Sequence, residues 1–151
     1  MRLVIQRVSE ASVSVDGQII GSIGAGLGIL VGVGKDDILN NAVALADKVK
    51  NLRIFEDDQG KMNRSLVENG GAVLVISQFT LYADCRKGNR PSFTDAAPAA
   101  LAEEVYLAFA KRLSDAGLTV ATGQFQADSV VSRVSKPING RHPCGSALRG
   151  G

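Results

Sequence analysis

Apolar and polar residues alternate from Arg2 to Val8, and again more strictly over Ala11-Ser-Val-Ser-Val15, a period of two that predicts β-strands. Asp16-Gly17 then gives the signal of a tight type I′ hairpin into Gln18-Ile-Ile20. The run Gly26 to Val33 is apolar except for its glycines, which admit a neighbouring backbone closely, and predicts a buried strand. After Asp36-Asp37 the spacing changes. Ala42, Leu45, Ala46, Val49 and Leu52 recur at helical intervals, predicting an amphipathic helix over about 38–52 with acids at its N-terminus. A short strand is expected at Arg53-Ile-Phe55, a turn at 56–60 and another at Asn69-Gly70-Gly71, before an apolar strand over 72–79. Pro98 opens a second helix whose stripe is Leu101, Val105, Phe109 and Leu113, ended by Asp115-Ala-Gly117. Residues 118–125 read as a further strand, and Val130, Val131 and Val134 keep strand spacing. Beyond them Pro137, Gly140, Pro143, Gly145, Gly150 and Gly151 interrupt every pattern. This order predicts an α+β fold with a mixed or antiparallel sheet, partly barrel-like, and two main helices in one compact domain. Residues 129–151 are expected to be an atypical tail of that domain, partly disordered or unusually packed.

At 151 residues one such domain can bury a real core. With 45% hydrophobic and 21% charged residues, and no apolar run near the ~20 residues of a membrane helix, the composition is that of an ordinary globular protein. The apolar run at the N-terminus is too short for a signal peptide, so the cytoplasm is expected. Cys85 and Cys144 form no CxxC motif, and His142 is the single histidine, which argues against a disulfide framework, a zinc site or a histidine triad. The net charge is +2, yet residues 130–151 carry Arg133, Lys136, Arg141 and Arg149 and no acid. The rest of the chain is slightly acidic, so any nucleic-acid contact must be local.

Gly24-Ala-Gly26-Leu-Gly28 leads into a strand instead of a helix and is no dinucleotide fingerprint. Gly34-Lys35 lacks the first glycine of a P-loop, where Ile29 stands, and the following Ser or Thr, where Asp36 stands. The acids Asp36-Asp37 and Glu56-Asp57-Asp58 read as a helix start and an exposed turn. Chemistry concentrates instead in SQFTLYADCRKGNRPSF, residues 77–93, where the apolar strand ends in Ser77, Gln78 and Thr80 and a cationic loop follows with Arg86, Lys87 and Arg90. A strand end with a solvated loop would look the same. The hydroxyls could be nucleophiles or oxyanion donors, but no His, Asp or Glu lies between Glu68 and Asp84 to act as base, which favours oxyanion stabilisation and a substrate that supplies its own reactivity. The cationic loop suits phosphates. Met62-Asn63 could pack under a ligand or fill a gap in the core.

Together with MRLVIQRVSEASVSVDG at 1–17, IGAGLGILVGV at 23–33, KVKNLRIFEDDQGKMNRSL at 48–66 and TGQFQAD at 122–128, this segment resembles the D-aminoacyl-tRNA deacylases, also called D-tyrosyl-tRNA deacylases. The resemblance covers residues 1–128. It implies a homodimeric cytoplasmic hydrolase, without metal or cofactor, that cleaves the ester joining a D-amino acid, or glycine mischarged on alanine tRNA, to the tRNA 3′ end. Its partner is then tRNA, and neither DNA nor a membrane. It implies a pocket wall from Ser77, Gln78, Phe79 and Thr80, and substrate contacts from Arg7, Met62, Asn63, Arg86, Lys87 and Arg90. Water would be activated with help from the neighbouring ribose hydroxyl, or else Thr80 would accept the acyl group. The family's second wall, a Gly-Pro pair that excludes L-amino acids, has no match: Lys136, Pro137 and Ile138 stand there. A tRNA-end or nucleotide-binding module without catalysis is the alternative.

Overall fold

A computed structural model describes residues 1–127, 129–134 and 145–149. The proposed gate residues Lys136, Pro137 and Ile138 lie outside the described residues, as do His142 and Cys144. The chain opens with β1 (Arg2–Val8), β2 (Glu10–Val15), β3 (Gln18–Ile23) and β4 (Gly26–Gly32), followed by helix α1 (Leu39–Asn51). Next come β5 (Phe55–Glu56), β6 (Met62–Arg64), the single turn α2 (Leu66–Asn69) and β7 (Ala72–Ser77). A 3-10 turn (Phe79–Tyr82), α3 (Ala99–Asp115), β8 (Thr119–Thr122), β9 (Ser129–Val134) and β10 (Gly145–Arg149) complete it.

A five-stranded mixed sheet in the order β10-β1-β4-β7-β8 lies between two covers. Helices α1 and α3 pack on one face through Ala42, Val49, Val105, Phe109 and Leu113, meeting Leu3, Ile5, Ile29, Val73 and Val75 of the sheet. The three-stranded sheet β3-β2-β9 covers the other, where Val8, Val13 and Ile23 meet Leu74 and Ile76. Strand β7 is therefore buried on both sides, which is why its sequence is a continuous apolar run instead of an alternating one. Truncating a buried residue such as Leu74 to alanine costs roughly 2–5 kcal/mol. The two sheets remain separate layers and do not close into a barrel.

The Asp16-Gly17 turn has φ of 51° and 79°, the left-handed pair a type I′ hairpin needs. At Gly26 a Cβ would stand 1.8 Å from the Ala72 carbonyl oxygen, so this glycine lets parallel β4 and β7 begin side by side. One expectation changes. Asp37 does not serve α1 as a first-turn acid, nor is it solvated: its carboxylate accepts from the Gly34 N–H (2.7 Å) and pairs with the Met1 ammonium, with 11% of its side chain exposed. The tail holds two strands, and β10 pairs with β1 from Arg2↔Arg149 to Gln6↔Gly145 despite the glycines and prolines around it. The edge of β1 supplies a template that local sequence does not reveal. Among the described residues no helix is long and apolar enough to cross a membrane.

Candidate active site

Strand β7 runs beside β4 until Ser77, opposite Val31, and Gln78 gives one more main-chain bond to the Val31 carbonyl at 2.7 Å. There the chain leaves the sheet. Gln78 (φ −145°, ψ 90°) caps the 3-10 turn Phe79–Tyr82, which closes through Leu81 N–H to Gln78 O (3.3 Å) and Ala83 N–H to Thr80 O (3.0 Å). The strand expected to run to residue 79 is thus cut short. A turn at this point needs room beneath it, and β4 ends in glycine for that reason: a Cβ on Gly32 would lie 2.8 Å from Leu81 Cβ, and one on Gly34 2.8 Å from the Tyr82 hydroxyl oxygen. From below, Arg2 donates to the Leu81 carbonyl (2.8 Å) while its guanidinium lies 4.3 Å from the centroid of the Tyr82 ring. Tyr82 in turn reaches the Asp37 carboxylate at 3.4 Å.

Above this turn opens a cavity of about 480 Å³. One wall is Ser77, Gln78 and Phe79. The floor is Val33 with Ala96 and Ala97, held by the Ala97 N–H to Val33 O bond of 2.9 Å. The opposite wall is Gln124, Phe125, Gln126, Ala127 and Ser129, and Ala99 and Ala102 of α3 form the rim. Every lining side chain among the described residues is uncharged, so none of them offers a general base or acid of the usual kind to the space. The polar groups on offer are hydroxyls, amides and main-chain N–H groups. As the first residues of a 3-10 turn, Phe79 and Thr80 have N–H groups with no main-chain acceptor among the described residues, the donors that a helical start leaves open.

Thr80 does not line this cavity; its exposed hydroxyl is paired with the Gln78 side-chain amide. Phe79 is 59% exposed and meets Phe93 edge-on at 5.1 Å between ring centroids. The opposite wall is not among the residues predicted for the site; within it Gln126 stands at φ 61°, in the left-handed region. Ring packing of Phe125 against Tyr106 (6.1 Å) ties this wall to α3. Tyr106 donates to the Val75 carbonyl at 2.8 Å, and burial pushes its hydroxyl up to about 12.

The cationic loop is closed at its base by Asp84 and Ser92, which exchange two main-chain bonds of 2.8 Å. Arg86 folds back onto Asp84 through contacts of 2.6 to 3.0 Å, and this guanidinium holds the Asp84 carboxyl down at about 2. Its charge is therefore largely answered within the loop. Lys87 and Arg90 are exposed and form no ion pair with a described residue.

The remaining predicted residues are not brought to this cavity within one chain. Leu3, Val31 and Ser77 are aligned across the sheet, whereas Arg7 aligns with Leu27 and Val73, ~13 Å away along the strands. Arg7 donates to the Ile54 carbonyl at 2.9 Å. Asn63 organises the β5–β6 hairpin, accepting from Arg53 (2.8 Å) and donating to Asp57 (2.7 Å), and this bond holds the Asp57 carboxyl below its usual range. Met62 is half exposed beside it.

Comparison with known proteins gives the family. The family described as D-Tyr-tRNA(Tyr) deacylase matches residues 4–137. A D-aminoacyl-tRNA deacylase of Roseiflexus castenholzii is 58% identical over 135 residues, 89% of this chain and 86% of that protein. One of Rhodopirellula baltica is 55% identical over 132 residues, 87% and 91% of the two chains. The solved structure of a c-Myc DNA unwinding element binding protein superposes with a TM-score of 0.88 at 34% identity, covering 99% of this chain and 98% of that one. A probable eukaryotic D-amino acid tRNA deacylase, 14% identical, shares the fold with a TM-score of 0.82. With a match over most of its length and curated relatives more than half identical, this chain belongs to the D-Tyr-tRNA(Tyr) deacylase family.

Proposed function

We propose that this protein hydrolyses the ester bond of D-aminoacyl-tRNA, and of glycine mischarged on alanine tRNA, releasing the free amino acid and tRNA as a chiral proofreading step of translation. The observation that carries this reading is a cavity walled by Ser77, Gln78 and Phe79 in which no described lining residue has an ionisable side chain, in a chain of this family. Such a site can bind, orient and stabilise charge, and it suits an ester that brings its own activating hydroxyl. Water adds to the ester carbonyl, and the oxyanion that forms meets the N–H of Phe79 in the cavity wall. The carbonyl carbon to ribose oxygen bond then breaks, and the proton lost by water passes through the neighbouring ribose hydroxyl to the leaving oxygen. No step needs a protein nucleophile, which agrees with a Thr80 hydroxyl outside the cavity.

The acceptor-end phosphates lie along Lys87 and Arg90, with Arg86 as their scaffold. In our reading the protein works in the cytoplasm as a homodimer. A second copy completes the open side of the cavity with residues 136–138, and Arg7, Met62 and Asn63 reach an acceptor end only from that copy. Release of D-tyrosine from D-tyrosyl-tRNA tests the proposal: liberated amino acid and rechargeable tRNA support it, and unchanged aminoacyl-tRNA refutes it.

A further inference from the structure

Two aromatic rings stand in solvent beside the cavity without a described role. Phe79 is 59% and Phe93 37% exposed, and they meet edge-on with an interplanar angle of 62°. An edge-on pair keeps ring faces open that a parallel stack would cover. Phe79 belongs to the cavity wall, so the pair begins at the site. Phe93 directly follows Ser92, which with Asp84 closes the base of the cationic loop, so the pair ends where Lys87 and Arg90 project. Because Arg86 is held by Asp84, Lys87 and Arg90 are the loop cations left to meet phosphates. Aromatic faces flanked by free cations and continuous with a pocket are what a single-stranded nucleic acid contacts: bases stack on the rings while phosphates follow the charge.

We propose that Phe79 and Phe93 form a stacking platform for the base of the unpaired nucleotide that precedes the terminal adenosine of the acceptor strand. The inference rests on the acceptor-end reading above and adds a base contact to it. Stacking is tolerant of base identity, since each base presents a π-face, so the platform orients the strand without reading its sequence. It also gives the exposed rings a partner that the isolated chain does not provide.

The test is binding of an uncharged RNA minihelix ending in single-stranded CCA, compared with one lacking its last two nucleotides, measured by fluorescence anisotropy. The expected result is tighter binding of the CCA minihelix by the wild-type chain, weakened roughly tenfold in Phe93→Leu and restored in Phe93→Tyr, with binding of the truncated RNA unchanged. Phe79→Leu, at the other ring, is expected to weaken binding in the same selective way. Equal affinity of the wild-type chain for the two RNAs, or of Phe93→Leu and wild type for the CCA minihelix, overturns the platform. So does equal weakening by Phe93→Leu and Phe93→Tyr, which assigns the ring to packing. Hydrolysis of D-tyrosyl-tRNA is scored separately: its absence defeats the deacylase reading, whereas a failed binding comparison with hydrolysis intact defeats the platform alone.

Discussion

Gly32→Ala is the substitution that most directly couples the scaffold to the site. The glycine ends β4, and an alanine Cβ there would stand 2.8 Å from Leu81 Cβ and 3.3 Å from the Gln78 carbonyl oxygen. Carbon atoms rest at about 3.5–4.0 Å, so the turn carrying Phe79 and Thr80 must rise by roughly 0.7–1.2 Å. Overpacking of this kind costs about 1–3 kcal/mol, which at about 2–4 °C per kcal/mol lowers Tm by roughly 2–12 °C. A displacement near 1 Å at a catalytic centre is on the order of a hundredfold in rate. Gly71→Ala is the control. Its Cβ meets Leu66 Cδ1 at the same 2.8 Å, but at the opposite end of β7 and against the tip of a side chain. We expect both variants to fold, Gly71→Ala to keep kcat/KM on D-tyrosyl-tRNA within about twofold, and Gly32→Ala to lose ten- to a hundredfold, mostly in kcat. Equal activity of the two variants at matched stability would refute the claim that Gly32 makes room for the turn that walls the proposed site.

Four further outcomes follow from the geometry. Thr80→Ala, which removes one exposed hydrogen bond worth about 1 kcal/mol, is expected to lower kcat/KM no more than about fivefold, with no acyl-enzyme trapped on acid quench; complete inactivity would restore the nucleophile reading. The depressed Asp84 carboxyl favours the folded loop above about pH 4 and loses that contribution as pH falls toward 2, so carboxyl NMR should show a midpoint near 2 that rises in Arg86→Ala. Tyr106 is raised in the folded state, so its contribution is present below about pH 10 and lost as pH climbs toward 12; spectrophotometric titration should show one tyrosine ionising late, and Tyr106→Phe should cost about 1 kcal/mol in urea unfolding. Placing the family's pair in this chain by Pro137→Gly with Ile138→Pro is expected to raise the ratio of D- to L-tyrosyl-tRNA hydrolysis, and an unchanged ratio would show that these residues do not gate.

Local chemistry made much of the fold legible. Asp16-Gly17 fixes its turn through backbone conformation, and the unbroken apolar run of β7 reports cover on both faces. Ser65 and Glu68 cap α2 reciprocally (3.2 and 2.7 Å), a pattern present in the sequence but not used to find that turn. What sequence could not reveal depends on distant partners. The 3-10 turn exists because Gly32 and Gly34 lie beneath it, and β10 forms because β1 offers an edge. Asp37 reads as a solvated helix-start acid until Gly34, Tyr82 and Met1 converge on it. The same holds at the site. Ser77, Gln78 and Phe79 announce themselves as polar and aromatic groups at a strand end, whereas the alanines and glutamines of the facing wall carry no chemical signal until the fold brings them there. Arg7 and Asn63 bond to neighbours in the same chain, a fact that spacing along the chain does not contain.

Parallel time courses of D-tyrosyl-tRNA and L-tyrosyl-tRNA with the full chain decide whether the protein is a deacylase. Multiple-turnover release of D-tyrosine well above the uncatalysed rate is expected. Hydrolysis of neither ester, by protein shown to be folded, would contradict it.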